Sequence, residues 1–380
     1  MKLSIIICVY NMADYIDKCL ESVVNQITDD CEIILINDGS NDQSLMKCYE
    51  WAEQSHQIKV IDKANEGLGA SRDLGVRMAS GEYVTFLDAD DWLTSDFVSK
   101  MVKATQEGYN DIVICDMQFV TKDNDIFIEK TSQVRLEQGQ LEVETVKNLL
   151  SKARTFMTAK LFRRSMFEEY QVTIPAHPFE DIATVPYLVA RAKHVYCQRG
   201  GMYCYLRNRE GSIINDFSKL SYTIDAIEEL IELFIRDGIF DKYKSQLRNL
   251  VWGQVCHIWN VTRGKFADSH CEKIKHIRTG MLECFHRFFP EARKLLELKF
   301  MIVGNELLLS AVQHIVLEKT QIVSKEYEAD YIVIDNEALD RVEIAKESDR
   351  IIPLILEKEK DAEEISWNAA EELLDKVIGV

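Results

Sequence analysis

The stretch Tyr83-Val-Thr-Phe-Leu-Asp88-Ala89-Asp90-Asp91 is an apolar run that stops on three carboxylates. Carboxylates so close together repel one another unless positive charge sits among them, and a divalent cation with oxygen ligands is the simplest compensator. A cation bridging two phosphates would also offset the charge that grows on a departing nucleoside diphosphate. The plainer reading makes these acids a cap on a helix over residues 92–102, because carboxylates favour helix N-termini. Their place at a strand end favours the metal.

Outward from this run, strand and helix signals alternate. Residues 3–9 form a continuous apolar run, as expected for a parallel strand buried on both faces. Ile16, Leu20, Val23 and Ile27 follow at helical spacing. Residues 32–38 read as a second strand, residues 58–61 as a third and residues 83–88 as a fourth. Such alternation means an α/β sheet, whose ligands bind beyond the carboxyl ends of its strands. Residues 219–297 change to long amphipathic helices. From residue 299 a small α/β module is expected, with strands at 300–304, 330–335 and 350–355 and helices at 305–319 and 367–379. The expected division is therefore 1–218, 219–298 and 299–380, with self-association or partner docking as the guess for the last part.

The chain has 380 residues and a net charge of −18, from 45 basic and 63 acidic residues. That balance argues against nucleic-acid binding through phosphate contacts and against a surface drawn broadly to anionic lipid. The N-terminal apolar run is too short for a secretory signal, and no segment approaches the roughly twenty apolar residues of a membrane span. Ten cysteines are scattered without regular spacing, which suits a reduced, cytoplasmic setting. Peripheral membrane association and a homo-oligomer stay open.

Three further constellations carry polar chemistry. In NDGSND, residues 37–42, Asp38 can accept a hydrogen bond from a base edge and Gly39 permits close backbone approach. Taken by itself, an ordinary turn with side chains bonding their own backbone is the simpler reading. In NEGLGASRDLG, residues 65–75, Gly67 and Gly69 suit a loop close to a ligand, and the Arg72 guanidinium is shaped for a diphosphate. Glycine demanded by a loop–helix junction is the alternative. In HPFEDIATVPYLVARA, residues 177–192, Glu180 and Asp181 stand where a helix begins. A carboxylate there facing a cleft can act as a general base, or simply cap the helix. Pro186 means that the helix either kinks or starts later.

In this order, these elements resemble the family 2 glycosyltransferases with the GT-A fold, of the type that builds bacterial cell-surface glycans or glycoproteins. SIIICVYN resembles the family's first strand, NDGSND its Asp-Gly-Ser turn, NEGLGASRDLG its Asn-x-Gly…Arg-Asn loop and LDADD its Asp-x-Asp signature. FEDIATVPYLVARA resembles the Glu-Asp element carrying the base, and CYLRNREGSI at 204–213 the closing Tyr-x-Arg…Gly-Ser segment. The resemblance spans about residues 1–215. It implies a Rossmann-like nucleotide-sugar-binding domain in which Val9, Tyr10, Asn11, Asp38, Asn65, Gly67, Arg72, Asp88, Ala89, Asp90 and Arg207 line the donor site. Tyr10 would lie against the base, Asp38 would hydrogen-bond it, and Arg72 would help to hold the diphosphate. Asp88 would contact the ribose or the base side of the nucleotide, and Asp90 would bind Mn²⁺ or Mg²⁺. Asp91 would organise the turn or reach the acceptor. Asp181 would be the catalytic base, with Glu180 orienting acceptor or sugar.

Two positions depart from the pattern. Val9 stands where many relatives have proline, and Asp73 replaces the asparagine that commonly follows the loop arginine, so it either pairs with Arg72 or points away. The implied reaction is inverting transfer of a hexose or N-acetylhexosamine from a UDP-sugar to a hydroxyl of a glycan, glycoprotein or polysaccharide. A sugar nucleotidyltransferase would want a glycine-rich, basic loop after the first strand, where this chain has CVYNMADY. A degenerate transferase serving as a scaffold is the non-enzymatic alternative. Trp252, Trp259 and Arg263 lie outside the resemblance. They are candidates for sugar contacts, with core packing the simpler role for both tryptophans.

Overall fold

A computed structural model describes residues 2–120, 138–141, 143, 146, 149–207, 216–264 and 271–292, and four short strands beyond them. The chain divides into two compact units, Met1–Phe240 and Asp241–Val380.

The first unit opens with the alternation read from sequence. β1 is Leu3–Val9, α1 Ile16–Val24, β2 Cys31–Asp38, α2 Ser44–Gln54, β3 Ile58–Lys63, α3 Leu68–Met78 and β4 Tyr83–Asp88. β1 pairs in parallel with both β2 and β4, and β2 with β3. After the acidic turn comes a two-residue strand, β5 (Trp92–Leu93), and only then α4 (Phe97–Ala104). The acids therefore do not cap a helix starting at Trp92.

The remaining elements are β6 (Ile112–Val120), β7 (Gly139–Leu141), α5 (Leu149–Lys152), β8 (Lys160–Arg163), α6 (Ser165–Glu169), α7 (Glu180–Arg191), β9 (Val195–Leu206) and α8 (Tyr222–Arg236). They complete a sheet of order β3-β2-β1-β4-β8-β6-β9-β5, with β7 on β9. β8 runs antiparallel to β4 and β6, so the sheet is parallel on one side and mixed on the other. α7 runs through Pro186 rather than starting after it.

Side-chain alternation along the strands assigns the two faces of this sheet. Leu3, Ile5, Ile7 and Val9 join Ile33, Leu35, Tyr83, Leu87 and Leu161 in one apolar cluster with α1. Ser4, Ile6 and Cys8 fall on the opposite face, as do Glu32 and Asp38 of β2 and Phe86 and Asp88 of β4. That second face is covered by α3, whose Gly75 lets Ile6 approach so closely that an added Cβ would lie 2.4 Å from it. The candidate acids thus share one face with the helix that carries Arg72.

In the second unit α9 (Phe240–Gly264) and α10 (Cys271–Phe288) pack through Trp252 and Phe285, whose ring centroids are 4.9 Å apart. Trp252 and Trp259 are both buried, so they serve the core. β10 (Phe300–Val303), β11 (Ile322–Val323), β12 (Tyr331–Asp335) and β13 (Ile351–Leu354) form an all-parallel sheet of order β11-β10-β12-β13. The helices expected at 305–319 and 367–379 lie outside the described residues. No helix among the described residues is long and apolar enough to cross a membrane.

Candidate active site

The carboxyl ends of β1, β2 and β4 meet the first turns of α3 and α7, and there the polar residues converge. Arg72, in the second turn of α3, is buried and bridges two carboxylates. Its Nη2 donates to Asp88 Oδ1 at 2.6 Å and its Nη1 donates to Glu180 Oε1. Burial alone would lower its proton affinity, but the Asp88 and Glu180 charges overcome this and hold it well above its ordinary value. Each terminal nitrogen spends one N–H on an acid, so Arg72 fixes both carboxylates.

Asp73 points away from the site. Its Oδ1 accepts from Ile174 N–H at 3.0 Å, and its Oδ2 lies 2.5 Å from Arg77 Nη1. It thereby pins the segment leading to α7. Gly67, at φ +96°, and Gly69 serve the same junction: a Cβ on Gly69 would sit 1.7 Å from the Pro175 carbonyl oxygen. The close approach that these glycines allow is to the 175–176 backbone, which brings Glu180 and Asp181 over α3.

The turn after β4 is held from inside. Asp91 is buried, accepts from Tyr203 Oη at 2.5 Å and Leu206 N–H at 2.7 Å, and donates its own N–H to the Asp88 carbonyl at 3.0 Å. Tyr203 Oη also accepts from Asp88 N–H at 3.1 Å. Of the two roles open to Asp91, its burial supports organising the turn and not reaching an acceptor. Burial, then the charges of Asp90 and Asp88, push its carboxyl well above the usual carboxylate range. The charges of Asp88 and Asp90 thus oppose a further charge on Asp91. Asp90 is half-buried, and the Ala89 side chain is in the core.

Among the described residues no three His, Cys, Asp or Glu side chains converge as a complete metal cage. A Mg²⁺ or Mn²⁺ ion held by one carboxylate, phosphate oxygens and water needs none. The half-buried Asp90, in the turn after β4, fits such an ion.

Asp38 is buried and engaged in stitching: it accepts from Lys63 Nζ, from Glu66 N–H at 2.9 Å and from Gly67 N–H at 2.9 Å. Asn11, in the left-handed region at φ 55°, ties β1 to the 38–42 turn, donating its N–H to Ser40 Oγ and accepting from Asn41 N–H. Val9 is wholly buried, so it can offer a ligand only its backbone, whereas Tyr10 is 44% exposed and Asn65 is exposed. Arg207 lies 3.7 Å from the Phe119 ring centroid and donates its N–H to the Val120 carbonyl. The Gly211-Ser212 end of that segment lies outside the described residues.

Phe179, directly before α7, occupies the left-handed region at φ 67°. A bulky side chain there costs about 1–2 kcal/mol, and this turn aims Glu180 inward while leaving Asp181 half-buried at the cleft. Burial raises Glu180 against the opposing Arg72 charge. Burial, reinforced by Glu180, pushes Asp181 up to about 7, with Arg72, the Ile182 N–H and Lys160 opposing. Cys8 faces the same cluster, and burial pushes its thiol up to about 12, so it stays protonated and unreactive. Tyr203 was not singled out by sequence; its one signal is a polar tip within the apolar run of β9.

Residues 4–171 match the family model described as Glycosyl transferase family 2. A cholesterol galactosyltransferase of Borreliella burgdorferi is 32% identical over 252 residues, covering 63% of this chain and 70% of that protein. The chain belongs to glycosyl transferase family 2. EpsH of Bacillus subtilis is 38% identical over 173 residues, 45% of this chain, and the match spans half of EpsH. GlyA of Streptococcus pneumoniae is 29% identical over 62% of this chain and 35% of its own length. Residues 1–349 of Staphylococcus aureus TarS, solved with UDP-GlcNAc, superpose with a TM-score of 0.50 at 18% identity, covering 77% of this chain and 92% of that one. The shared architecture is the GT-A fold, followed here by helices.

Proposed function

We propose that the protein is an inverting glycosyltransferase that moves a hexose or N-acetylhexosamine from a UDP-sugar to a hydroxyl of a glycan, glycoprotein or polysaccharide. The observation that carries this reading is the convergence of the Asp88–Asp91 turn with the Glu180–Asp181 pair through the shared guanidinium of Arg72. On this reading Asp88 is the nucleotide-side acid and Asp181, next to the Arg72-bound Glu180, is the base.

Asp181 takes the proton of the acceptor hydroxyl as that oxygen attacks the anomeric carbon. The new C–O bond forms on one face, the bond to the diphosphate breaks on the other, and the nucleoside diphosphate leaves with the electron pair. A carboxyl raised to about 7 is matched to this work at neutral pH. Glu180, fixed by Arg72, orients the acceptor or the sugar, and Asp91 holds the turn rather than the substrate. Tyr10 is exposed enough to lie against the base, and Asp38 shapes the loop beneath it. Asp90 would hold Mn²⁺ or Mg²⁺, which when bound supplies positive charge to the diphosphate. Since TarS was solved with UDP-GlcNAc, that donor is the first to test.

The test is slow hydrolysis of a panel of UDP-, GDP-, TDP- and CMP-sugars with Mn²⁺ and with chelator. One donor should release its nucleoside diphosphate only with metal, and Asp90→Asn should lose that release. No hydrolysis, together with no calorimetric binding of UDP plus Mn²⁺, would overturn the reading.

A further inference from the structure

The turn that aims Glu180 inward sits at an unfavourable backbone angle, and the mechanism above leaves open what holds it there. Phe179 is in the left-handed region, and strained residues persist only where the surrounding structure fixes them. From the α3 side the lead-in to α7 is anchored at its two ends, Ile174 N–H on Asp73 Oδ1 at 3.0 Å and Glu180 on Arg72. Neither bond is made to the peptide between Pro178 and Phe179, whose orientation sets the Phe179 φ.

His177 supplies a bond to that peptide. Its Nδ1 lies 2.8 Å from the Pro178 carbonyl oxygen. A carbonyl can only accept, so Nδ1 carries the proton. The ring is held in turn by α8. It lies parallel to the ring of Tyr222, with 8° between the planes and centroids 5.9 Å apart, and its Nε2 is 3.1 Å from Glu229 Oε2. Tyr222 and Glu229 stand two turns apart on one stripe of the helix. Nε2 and Oε2 are both shut off from solvent, and neither has a hydrogen bond among the described residues; they meet at ion-pair distance without hydrogen-bond alignment. A carboxylate also only accepts, so the contact is attractive with a proton on each ring nitrogen. α8 is a firm support: Ala226, Ile227, Leu230 and Phe234 are wholly buried, and Phe234 meets Tyr187 of α7 edge-on at 5.6 Å.

We propose that His177 is a positioning residue for the Glu180–Asp181 pair: its ring, propped by Glu229 and Tyr222, holds the Pro178–Phe179 peptide in the orientation that the left-handed turn needs. The inference rests on reading Asp181 as the base.

The experiment uses the full chain with UDP-GlcNAc and Mn²⁺, water standing in for the acceptor, together with calorimetry of UDP and Mn²⁺. In His177→Ala, kcat for hydrolysis should fall about tenfold, with UDP affinity within about twofold of wild type. Glu229→Ala should lower kcat in the same direction by about threefold. In a Phe179→Gly background, His177→Ala should cost less than about twofold, because glycine adopts the left-handed turn without steric cost. An unchanged kcat in His177→Ala, or the same loss in both backgrounds, would overturn the inference. Amide exchange decides the case in which this donor is not cleaved. Ile182 N–H donates to the Phe179 carbonyl at 3.0 Å and to Asp181 Oδ1 at 2.8 Å, so it reports on both the turn and the base. It should exchange about tenfold faster in His177→Ala, and an unmoved rate would overturn the inference. If His177→Ala does not fold, Glu229→Ala, altered at a side chain 43% exposed, carries both measurements. Exchange needs no turnover, so it is separable from the base assignment, which falls if Asp181→Asn transfers sugar at the normal rate.

Discussion

One face of the large sheet carries a buried carboxylate at each end, and the two are treated oppositely. At the amino ends of β1 and β2, Glu32 accepts from Ser4 Oγ at 2.6 Å, from Ser80 N–H and Oγ at 2.7 Å and from Lys59 Nζ at 2.6 Å. Burial alone would raise its carboxyl, but the Lys59, Ser4 and Ser80 bonds outweigh this and hold it down to about 2. At the carboxyl ends, Glu180 and Asp88 share one guanidinium, and Asp181 rises to about 7. Same face, same residue chemistry: one end is saturated with donors and the other is left short of them. A satisfied carboxylate is a structural staple. An undersupplied cluster in a cleft holds groups ready to accept a proton or a cation, which is the physical mark of a site.

Removing the undersupplied base should have the largest effect. Asp181→Asn is expected to cut sugar transfer by about 10²–10⁴-fold while leaving nucleotide affinity unchanged by calorimetry. Equal losses in both would dissolve the distinction between the two ends. Arg72→Met comes next, because it strands Glu180 and Asp88 without their shared cation. Urea unfolding should show a loss of about 3–5 kcal/mol, and a loss under 1 kcal/mol would mean that the bridge is weak in solution.

The sharpest contrast lies in the pH dependence of stability. Glu32 binds its proton less tightly folded, at about 2, than at its ordinary 4.5. Its contribution is therefore present above about pH 4.5 and lost as pH falls toward 2. Glu32→Gln should cost about 2–3 kcal/mol at pH 7 and progressively less below pH 4.5, with transferase activity retained. Asp181 binds its proton more tightly folded, at about 7, than at its ordinary 3.8. It therefore burdens the fold above pH 7, progressively less toward 3.8 and not at all below. Because Asp181 is only half-buried, Asp181→Asn should stabilise the protein by about 1 kcal/mol at pH 8, with no gain at pH 3.5. Thermal melts of both variants across pH should diverge in sign, and parallel behaviour would break the comparison. Asp90→Asn has the mildest effect on the fold; it should weaken metal-supported UDP binding by about tenfold and leave Tm unchanged.

Much of this was legible along the chain. The apolar runs at 3–9, 32–38 and 83–88 predicted parallel strands, and those strands put Cys8, Asp38 and Asp88 at carboxyl ends. The alternative that the acids cap a helix was open in sequence and fails because Trp92–Leu93 pairs with Tyr203–Cys204 of β9, a partner about 110 residues away. Tyr203 was missed for the same reason: a tyrosine in an apolar strand reads as core until its hydroxyl is seen between Asp91 and Asp88. Gly67 and Gly69 were open in sequence between a ligand and a loop–helix junction, and the backbone that they admit is that of Pro175 and Ala176. Local sequence could supply the need for close approach but not the identity of what approaches.

What the sequence determined by itself was the order of elements and the stock of charged groups at the strand ends, because hydrophobic periodicity and turn chemistry act over a few residues. It also set Asp90 just after a strand and Asp181 at the start of a helix. Only the tertiary structure decided which acids are shielded and which are available. Arg72 joins Asp88, 16 residues away, to Glu180, 108 residues away. Proton affinity depends on burial and on charges nearby in space, and neither quantity is written in the spacing of residues along a chain.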